Sequence, residues 1–583
     1  MTHFLTFFLG VSEALFTPST SILTKTKSRL QTMLPSTFQH QVPLNKELKQ
    51  QQDLLLVDQK SNGGTLTKLV LGTVDNIPTA SIGMLSLALV WHDVAMQVEP
   101  LVLFAAIEAW WQVARSAQHK YLVPRLTRPA PALREDFWKR MLDATADPKG
   151  FVEGWFQNID DVDFAVSLSH VRRSDVEEWI GLNTFGEDYP KAYKQKVREM
   201  RMELEKKLNY EFPVHGERLV KPLAPFSEPV KAKQHPLLLY LYLGVMRTVH
   251  ARQLTEELGF ESRAKNTAFG YYLRRGKGSG VPPDLASARG NGTPIVFVHG
   301  IGAGLPPYSG FISELVAKAG ERPIILLEIP AISMQPNAEP LPGGDVVANE
   351  LHRLLITEFN SPACVLVAHS FGSTLCSFLS RYQPETLKGI VLIEPVCFLL
   401  NLAKTTRQVL YCNNDDDPIL NLVVQDPGNS ISLRRRFWWH EAQCLADDLI
   451  HLNLVASSTI FLAQDDNTVP SADVASYLMA TPFHVRQFNS ASHGQWQYNL
   501  DHISRVVEAT LRTAREVDYS NVYSMNPIMI KQKDLTRTER NVKRTLVHLR
   551  RQAVSLQNEV HSKALYLSFL IPSFKQEENA KLN

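Results

Sequence analysis

Ser370, Asp466 and His493 lie far apart in the sequence, and together they have the chemistry of an acyl-transfer catalyst. Ser370 falls in Leu366-Val367-Ala368-His369-Ser370-Phe371-Gly372, where an apolar run stops at a serine with small residues two positions to either side. Residues 363–367 read as a buried strand and 371–382 as the helix that follows. A serine on so sharp a turn presents its hydroxyl at the positive end of the helix, as a nucleophile requires. A lone Ser-x-Gly is otherwise explained as a helix cap. His493 lies in Asn489-Ser490-Ala491-Ser492-His493-Gly494, after a short strand at 484–488, and could take the serine proton. Asp466 follows a strand at 458–463, just before Val469-Pro470 opens a helix. A carboxylate there could fix the imidazole tautomer and stabilise the imidazolium, or simply cap that helix. Asp465 is a rival acid. Glu394, ending a strand at 388–394, is the alternative acid, or a turn residue before Pro395. His369, beside the nucleophile, is expected to point away and pack.

Upstream, the strand Pro294–Val298 runs into His299-Gly300-Ile301-Gly302-Ala303-Gly304. Glycines at a strand end let the backbone turn and aim amides at a negative charge. Gly-x-Gly-x-x-Gly fails because position 305 is leucine, so a dinucleotide loop is disfavoured. The amides of Ile301 or Gly302, together with that of Phe371, are the expected oxyanion donors, with His299 bracing the loop. Five parallel-type strands (294–298, 323–329, 363–367, 388–394, 458–463) alternate with helical stretches, and the strand at 484–488 extends the series. This is the pattern of an α/β, doubly wound, mostly parallel sheet. A strand at 269–273 is expected to precede it.

The chain order Ser370, Asp466, His493 is that of α/β-hydrolases and differs from the serine-protease orders. With elbow, oxyanion loop, acid turn and histidine loop all in register, residues 290–515 resemble the α/β-hydrolase fold family. Ala368 stands where the family pattern has its first elbow glycine. The strings HGIGAGLPPY, EIPAISM, EPVCFLL and RRFWWHE resemble, more narrowly, fungal and protist hydrolases with membrane-associated N-terminal extensions. The resemblance implies an ester-type serine hydrolase and names no substrate.

Residues 395–457 are where such a fold places a helical lid, with helices expected at 397–410 and 432–454. In Arg434-Arg435-Arg436-Phe437-Trp438-Trp439 the arginines are expected to be solvated, and the aromatics to pack the lid or line an acyl pocket. No metal or cofactor is expected: the histidines lack His-Glu-x-x-His spacing, and the five cysteines form no Cys-x-x-Cys pair. Their odd number and spacing argue for buried thiols in a reducing compartment such as the cytosol, not for a disulfide framework.

In a chain of 583 residues, about half lies outside this unit. With 61 basic and 59 acidic residues the charge is near balance, and nucleic acid is not an indicated partner. Residues 76–92 hold no Asp, Glu, Lys or Arg, and Leu101–Ile107 is a second apolar run that leads to Trp110-Trp111. Neither reaches the ~20 apolar residues of a comfortable span. Two helices in the lipid interface, one imperfect span, or a soluble helical core all fit. Residues 236–243 form a further apolar patch that could dock on the hydrolase unit or dip into lipid. Residues 1–16 lack the cationic start of a signal peptide. The organisation expected is an N-terminal extension (1–75), a helical membrane-associated region (76–260), the hydrolase domain (261–516) and a C-terminal helical tail (517–583). The function expected is hydrolysis of a small-molecule or lipid ester at a membrane surface. An acyltransferase using the same triad and a non-catalytic membrane adaptor are the alternatives.

Overall fold

The computed structural model describes residues 77–81, 84, 99–122, 132–161, 164–186, 192–263, 268–276, 292–336, 338–411, 417–479 and 481–525. The expectations for residues 1–75, for most of 76–92 and for the tail beyond 525 lie outside these. Ten strands are described, numbered in chain order. β1 (Phe156–Asn158) and β2 (Val220–Pro222) form a small antiparallel ribbon. The other eight are β3 (Glu261–Arg263), β4 (Gly270–Arg274), β5 (Ile295–Val298), β6 (Ile324–Glu328), β7 (Cys364–His369), β8 (Leu387–Ile393), β9 (Thr459–Ala463) and β10 (His484–Phe488).

These eight make one sheet in the order β10-β9-β8-β7-β5-β6-β4-β3. The pairings among β5 to β10 are parallel, while β3/β4 and β4/β6 are antiparallel. Apolar residues run through the central strands without polar interruption because helices cover both faces. Strand alternation sorts them: Ile295, Phe297, Val365 and Val367 pack with the helices Ser309–Ala319 and Leu500–Met525. Val296, Val298, Leu366 and Ala368 face the opposite helices, Gly344–Phe359 and Thr374–Tyr382. The chain leaves β5 for one side of the sheet and returns through β7 to build the other, so the switch point lies between β5 and β7. Open α/β sheets bind ligands there, beyond the carboxyl ends of the strands. The sheet is that of the α/β-hydrolase fold, and the N-terminal region is mainly helical.

Between β8 and β9 the chain is more broken than expected. The helix expected at 397–410 is regular only over Ala403–Leu410, and 432–454 divides into a wide turn (Ser432–Arg436) and the short helices Trp439–Ala442 and Ala446–Ile450. Two of the arginines, expected in solvent, turn inward. Arg434 is buried and donates to the Leu410 carbonyl at 2.8 Å, and Arg435 donates to the Phe226 and Glu228 carbonyls at 2.9 and 2.5 Å. The aromatic residues beside them carry these cations inward by packing on the N-terminal region. Trp438 stacks on Phe226, and Trp439 enters a core with Phe137, Trp138, Trp155 and Trp179.

Leu101–Ile107 falls within the helix Glu99–Leu122. Among the described residues no helix is long and apolar enough to cross a membrane. The patch at 236–243 opens the helix Leu237–Arg252, whose Leu239 and Leu243 pack on Met334 and Ala303, while Leu241, Val245 and Val249 stay exposed.

Candidate active site

Ser370 follows β7 and begins a tight turn (Ser370–Ser373) that leads into the helix Thr374–Tyr382. Its φ is 50°, a left-handed conformation that costs a non-glycine residue energy and that an elbow imposes on its nucleophile. The approach of turn and neighbouring strand explains Gly372, where a Cβ would lie 2.7 Å from the carbonyl oxygens of Val298 and His299. Ser373, to which the sequence reading gave no role, ties the elbow down. Its Oγ donates to the Ser370 carbonyl at 2.6 Å and accepts the Cys397 N–H at 3.2 Å.

The structure brings the three distant residues together. Ser370 Oγ lies 2.8 Å from His493 Nε2, and His493 Nδ1 lies 3.0 and 3.1 Å from the two oxygens of Asp466. With Nδ1–H donating to Asp466, Nε2 of the neutral imidazole is left to accept from the serine hydroxyl. Asp466 Oδ1 also accepts the Thr468 and Val469 amides at 2.8 and 2.7 Å. The capping role and the histidine contact, alternatives in the sequence, belong to one carboxylate. Asp465 is exposed.

His369 does more than pack. Its Nδ1 lies 2.7 Å from Tyr308 Oη, which accepts the Gly300 amide at 3.0 Å, and its Nε2 lies 3.0 Å from Glu394 Oε2. Glu394 Oε2 also accepts the Gly494 amide at 2.6 Å and stands 3.7 Å from His493 Nδ1. One sign of this was available in the sequence. The residue before an elbow serine points to the opposite sheet face, level with the ends of the neighbouring strands, and cannot avoid what they carry. His299 braces the oxyanion loop: its Nδ1–H donates to the Gly300 carbonyl at 2.7 Å and its Nε2 accepts the Ile329 amide at 3.0 Å.

The oxyanion expectation needs one correction. The Gly302 N–H donates to the Ile332 carbonyl at 3.0 Å, because the loop folds against the turn Pro330–Ile332, so it is not free to meet an oxyanion. Ile301 and Phe371 are the remaining pair.

Burial pushes the His493 imidazole down, but the charge and hydrogen bond of Asp466, with Glu394 behind it, outweigh burial and bring it up to about 9. Burial raises the Glu394 carboxyl to about 8, with Asp466 adding to the rise and His493 opposing it. Burial holds His369 well below the usual imidazole range and His299 at about 4, so both are neutral. Donor atoms of His369, Glu394 and His493 lie within 4.8 Å of one another. They are already engaged with each other, with Asp466 and with Gly494 at hydrogen-bond spacing, which is the pattern of a proton-bearing network.

Ser370 is only 5% exposed. Beside it a narrow apolar cleft of only ≈ 20 Å³ is lined by Phe371, Leu375, Phe378, Phe437 and Trp438, with Arg436 and Glu441 on its wall. Phe437 packs on Phe371 with ring centres 5.5 Å apart.

No family model matches the chain. A curated relative, the sn-1-specific diacylglycerol lipase ABHD11 of Danio rerio, is 24% identical over 111 residues, which are 19% of this chain and 34% of that protein. The match thus spans about a third of the relative's length. Among solved structures, a putative lipase of Acinetobacter baumannii is 13% identical with a TM-score of 0.35, over 47% of this chain and 97% of that one. A thermophilic esterase of Thermogutta terrifontis is also 13% identical, with a TM-score of 0.32, over 44% of this chain and 99% of that one. An α/β-hydrolase enzyme from a lagoon-sediment metagenome is 16% identical with a TM-score of 0.28, over 43% and 98%. Strand order and the crossover between β5 and β7 identify the chain as one with the α/β-hydrolase fold, distantly similar to ABHD11 and to esterases and lipases.

Proposed function

We propose that this protein is a serine hydrolase that cleaves carboxylic esters through an acyl-enzyme on Ser370. The reading is carried by the line from Ser370 Oγ to His493 Nε2, at 2.8 Å, and from His493 Nδ1 to Asp466, at 3.0 Å. Ser370 Oγ attacks the ester carbonyl and its proton passes to His493 Nε2. The amides of Ile301 and Phe371 hold the oxyanion of the tetrahedral intermediate. His493 then gives the proton to the leaving alkoxide, and water, activated by the same imidazole, releases the acid.

The substrate class in this reading is an ester with an apolar acyl chain, supported by the apolar lining of the cleft beside Phe371, which must widen to admit one. Access to it and to the buried serine requires the segment between β8 and β9 to move. The reading also places the enzyme on a lipid surface. Leu103, Ile107 and Trp110 on one helix and Leu241, Val245 and Val249 on its neighbour are 44–68% exposed. The two helices are joined where the Leu237 amide donates to Glu108 at 2.9 Å, and the second packs on Ala303 of the oxyanion loop. The face packed on Ala303 is that of Leu239 and Leu243, and the exposed Leu241, Val245 and Val249 lie on the other side of the same helix, turned away from the oxyanion loop. A reducing compartment agrees with the buried free thiols of Cys364, Cys376, Cys397 and Cys444.

The test is turnover of a series of p-nitrophenyl esters of rising chain length, with and without vesicles. Hydrolysis that Ser370→Ala abolishes, favouring longer chains and rising with vesicles, is the expected result. No turnover of any ester by folded protein overturns the reading.

A further inference from the structure

His493 Nδ1 is faced by two carboxylates, Asp466 Oδ2 at 3.0 Å and Glu394 Oε2 at 3.7 Å. They come from the ends of adjacent strands, β9 and β8, and both side chains are fully buried. Burying a second carboxylate beside the first costs free energy, and a one-acid site does not need it. Glu394 also adopts a left-handed backbone, φ 46°, so strain is spent on placing it.

Its supports run across the whole site. The Gly300 N–H donates to Tyr308 Oη at 3.0 Å, so the hydroxyl is free to donate to His369 Nδ1 at 2.7 Å. That leaves His369 Nε2–H to donate to Glu394 Oε2 at 3.0 Å, where the Gly494 N–H also arrives at 2.6 Å. The chain links the oxyanion loop to the histidine loop. Glu394 Oε1 has no hydrogen-bond partner, so this carboxyl has capacity that the fold leaves unused.

We propose that Glu394 is a second acid for His493, able to hold the Nδ1–H and to stabilise the imidazolium when Asp466 does not. The proposal rests on the serine-hydrolase reading and deepens it. No proton goes to either carboxylate during the step. The Ser370 proton passes to Nε2, the Nδ1 proton stays on the ring, and the positive charge forms between the two acids. The groups facing Glu394 are His493 and Gly494 after β10, Asp466 after β9, His369 on β7, Tyr308 before the helix Ser309–Ala319, and His502 on the helix Leu500–Met525. The Asp466 charge opposes ionisation of Glu394. Taking that charge away eases the ionisation, as expected of two interacting acids.

The test compares Asp466→Ala, Asp466→Asn and the double variant Asp466→Ala/Glu394→Gln on a soluble p-nitrophenyl ester across pH. Asp466→Ala is expected to retain at least ~10-fold more kcat/KM than the double variant, since the loss from a missing acid alone can reach ~10,000-fold. Its residual activity is expected to climb with pH as Glu394 ionises, and Glu394→Gln is expected to flatten that climb. Asp466→Asn is expected to fall below Asp466→Ala, because its amide would donate to Nδ1 and trap the wrong tautomer. A merely structural Glu394 would change melting temperature without changing the pH profile or the order of the variants. Should Asp466→Ala fail to fold, Asp466→Ser keeps an oxygen for the Thr468 and Val469 amides and replaces it. Equal activity of the single and double variants at every pH overturns the second acid. If wild type itself has no fluorophosphonate-reactive serine, the hydrolase reading fails instead.

Discussion

The carboxyl edge of the sheet and the layer above it are built on opposite plans. At the edge, Ser370 and Glu394 sit one residue beyond their strands, Asp466 three and His493 five, so the pairing of β7 to β10 and the short turns that follow bring the four together. Above it, the N-terminal helices and the segment between β8 and β9 share a single core. Trp155 Nε1–H donates to the Asn401 carbonyl at 2.6 Å, and Trp439 Nε1–H to the Asn183 carbonyl at 3.0 Å. Asn401 Nδ2–H donates to Thr145 Oγ1 at 3.0 Å. The segment over the serine is thus half of a second packed unit, clamped from above. The difference teaches that the chemistry belongs to the sheet, whereas access belongs to the partnership of two distant stretches of chain.

Deleting one residue from each region separates them. His493→Ala is expected to lower kcat/KM by ~10,000-fold or more, as loss of a triad base does elsewhere, with circular dichroism nearly unchanged and melting lowered by the loss of the Asp466 pairing. A loss of under ~10-fold would remove His493 from the chemistry. Trp439→Ala acts on the other region, opening a cavity in the shared core at a cost of about 3–5 kcal/mol in stability. A melting curve matching wild type would show that the two stretches do not hold each other.

The pH dependence sharpens the edge further. A general base works neutral, and the His493 imidazole is pushed up to about 9, so kcat/KM is expected to keep rising by up to ~10-fold per pH unit above pH 7. Asp466→Asn should move this limb to lower pH. The stability linkage has the opposite sense. The folded value is raised above the ordinary 6.5, so the pairing stabilises the fold fully below that value and is lost as pH rises through about 9. A flat rate from pH 7 to 9 would contradict the assignment. The smallest effect belongs to the outer face. Val245→Ser, at a 60% exposed position, should leave turnover of a soluble ester within about twofold and stability within ~0.5 kcal/mol, while weakening flotation with anionic vesicles. Unchanged flotation of this variant would count against the proposed lipid contact.

What could be read from the sequence follows the same division. Parallel strands buried on both faces are nearly unbroken apolar runs, and a residue just past such a run must lie at the site edge, so Ser370, Asp466 and His493 were legible one by one. The Gly302 amide was not, because its capture by Ile332 depends on how two loops fold together. The inward turn of Arg434 and the role of His369 were hidden for a similar reason. Both depend on partners, Leu410 and Glu394, that local composition does not point to. The shared core was the least legible, since its hydrogen bonds join residues about 250 positions apart (Trp155 to Asn401, Asn183 to Trp439) and a hydrophobic pattern carries no address.

The central claim is that Ser370 is a nucleophile made reactive by His493. Incubating the full-length protein with a fluorophosphonate probe and locating the adduct by peptide mass spectrometry tests it directly. One adduct on the peptide containing Ser370, lost in Ser370→Ala and strongly slowed in His493→Ala, is the predicted result. Folded wild-type protein that takes up no probe, or takes it up on another residue, would contradict the account.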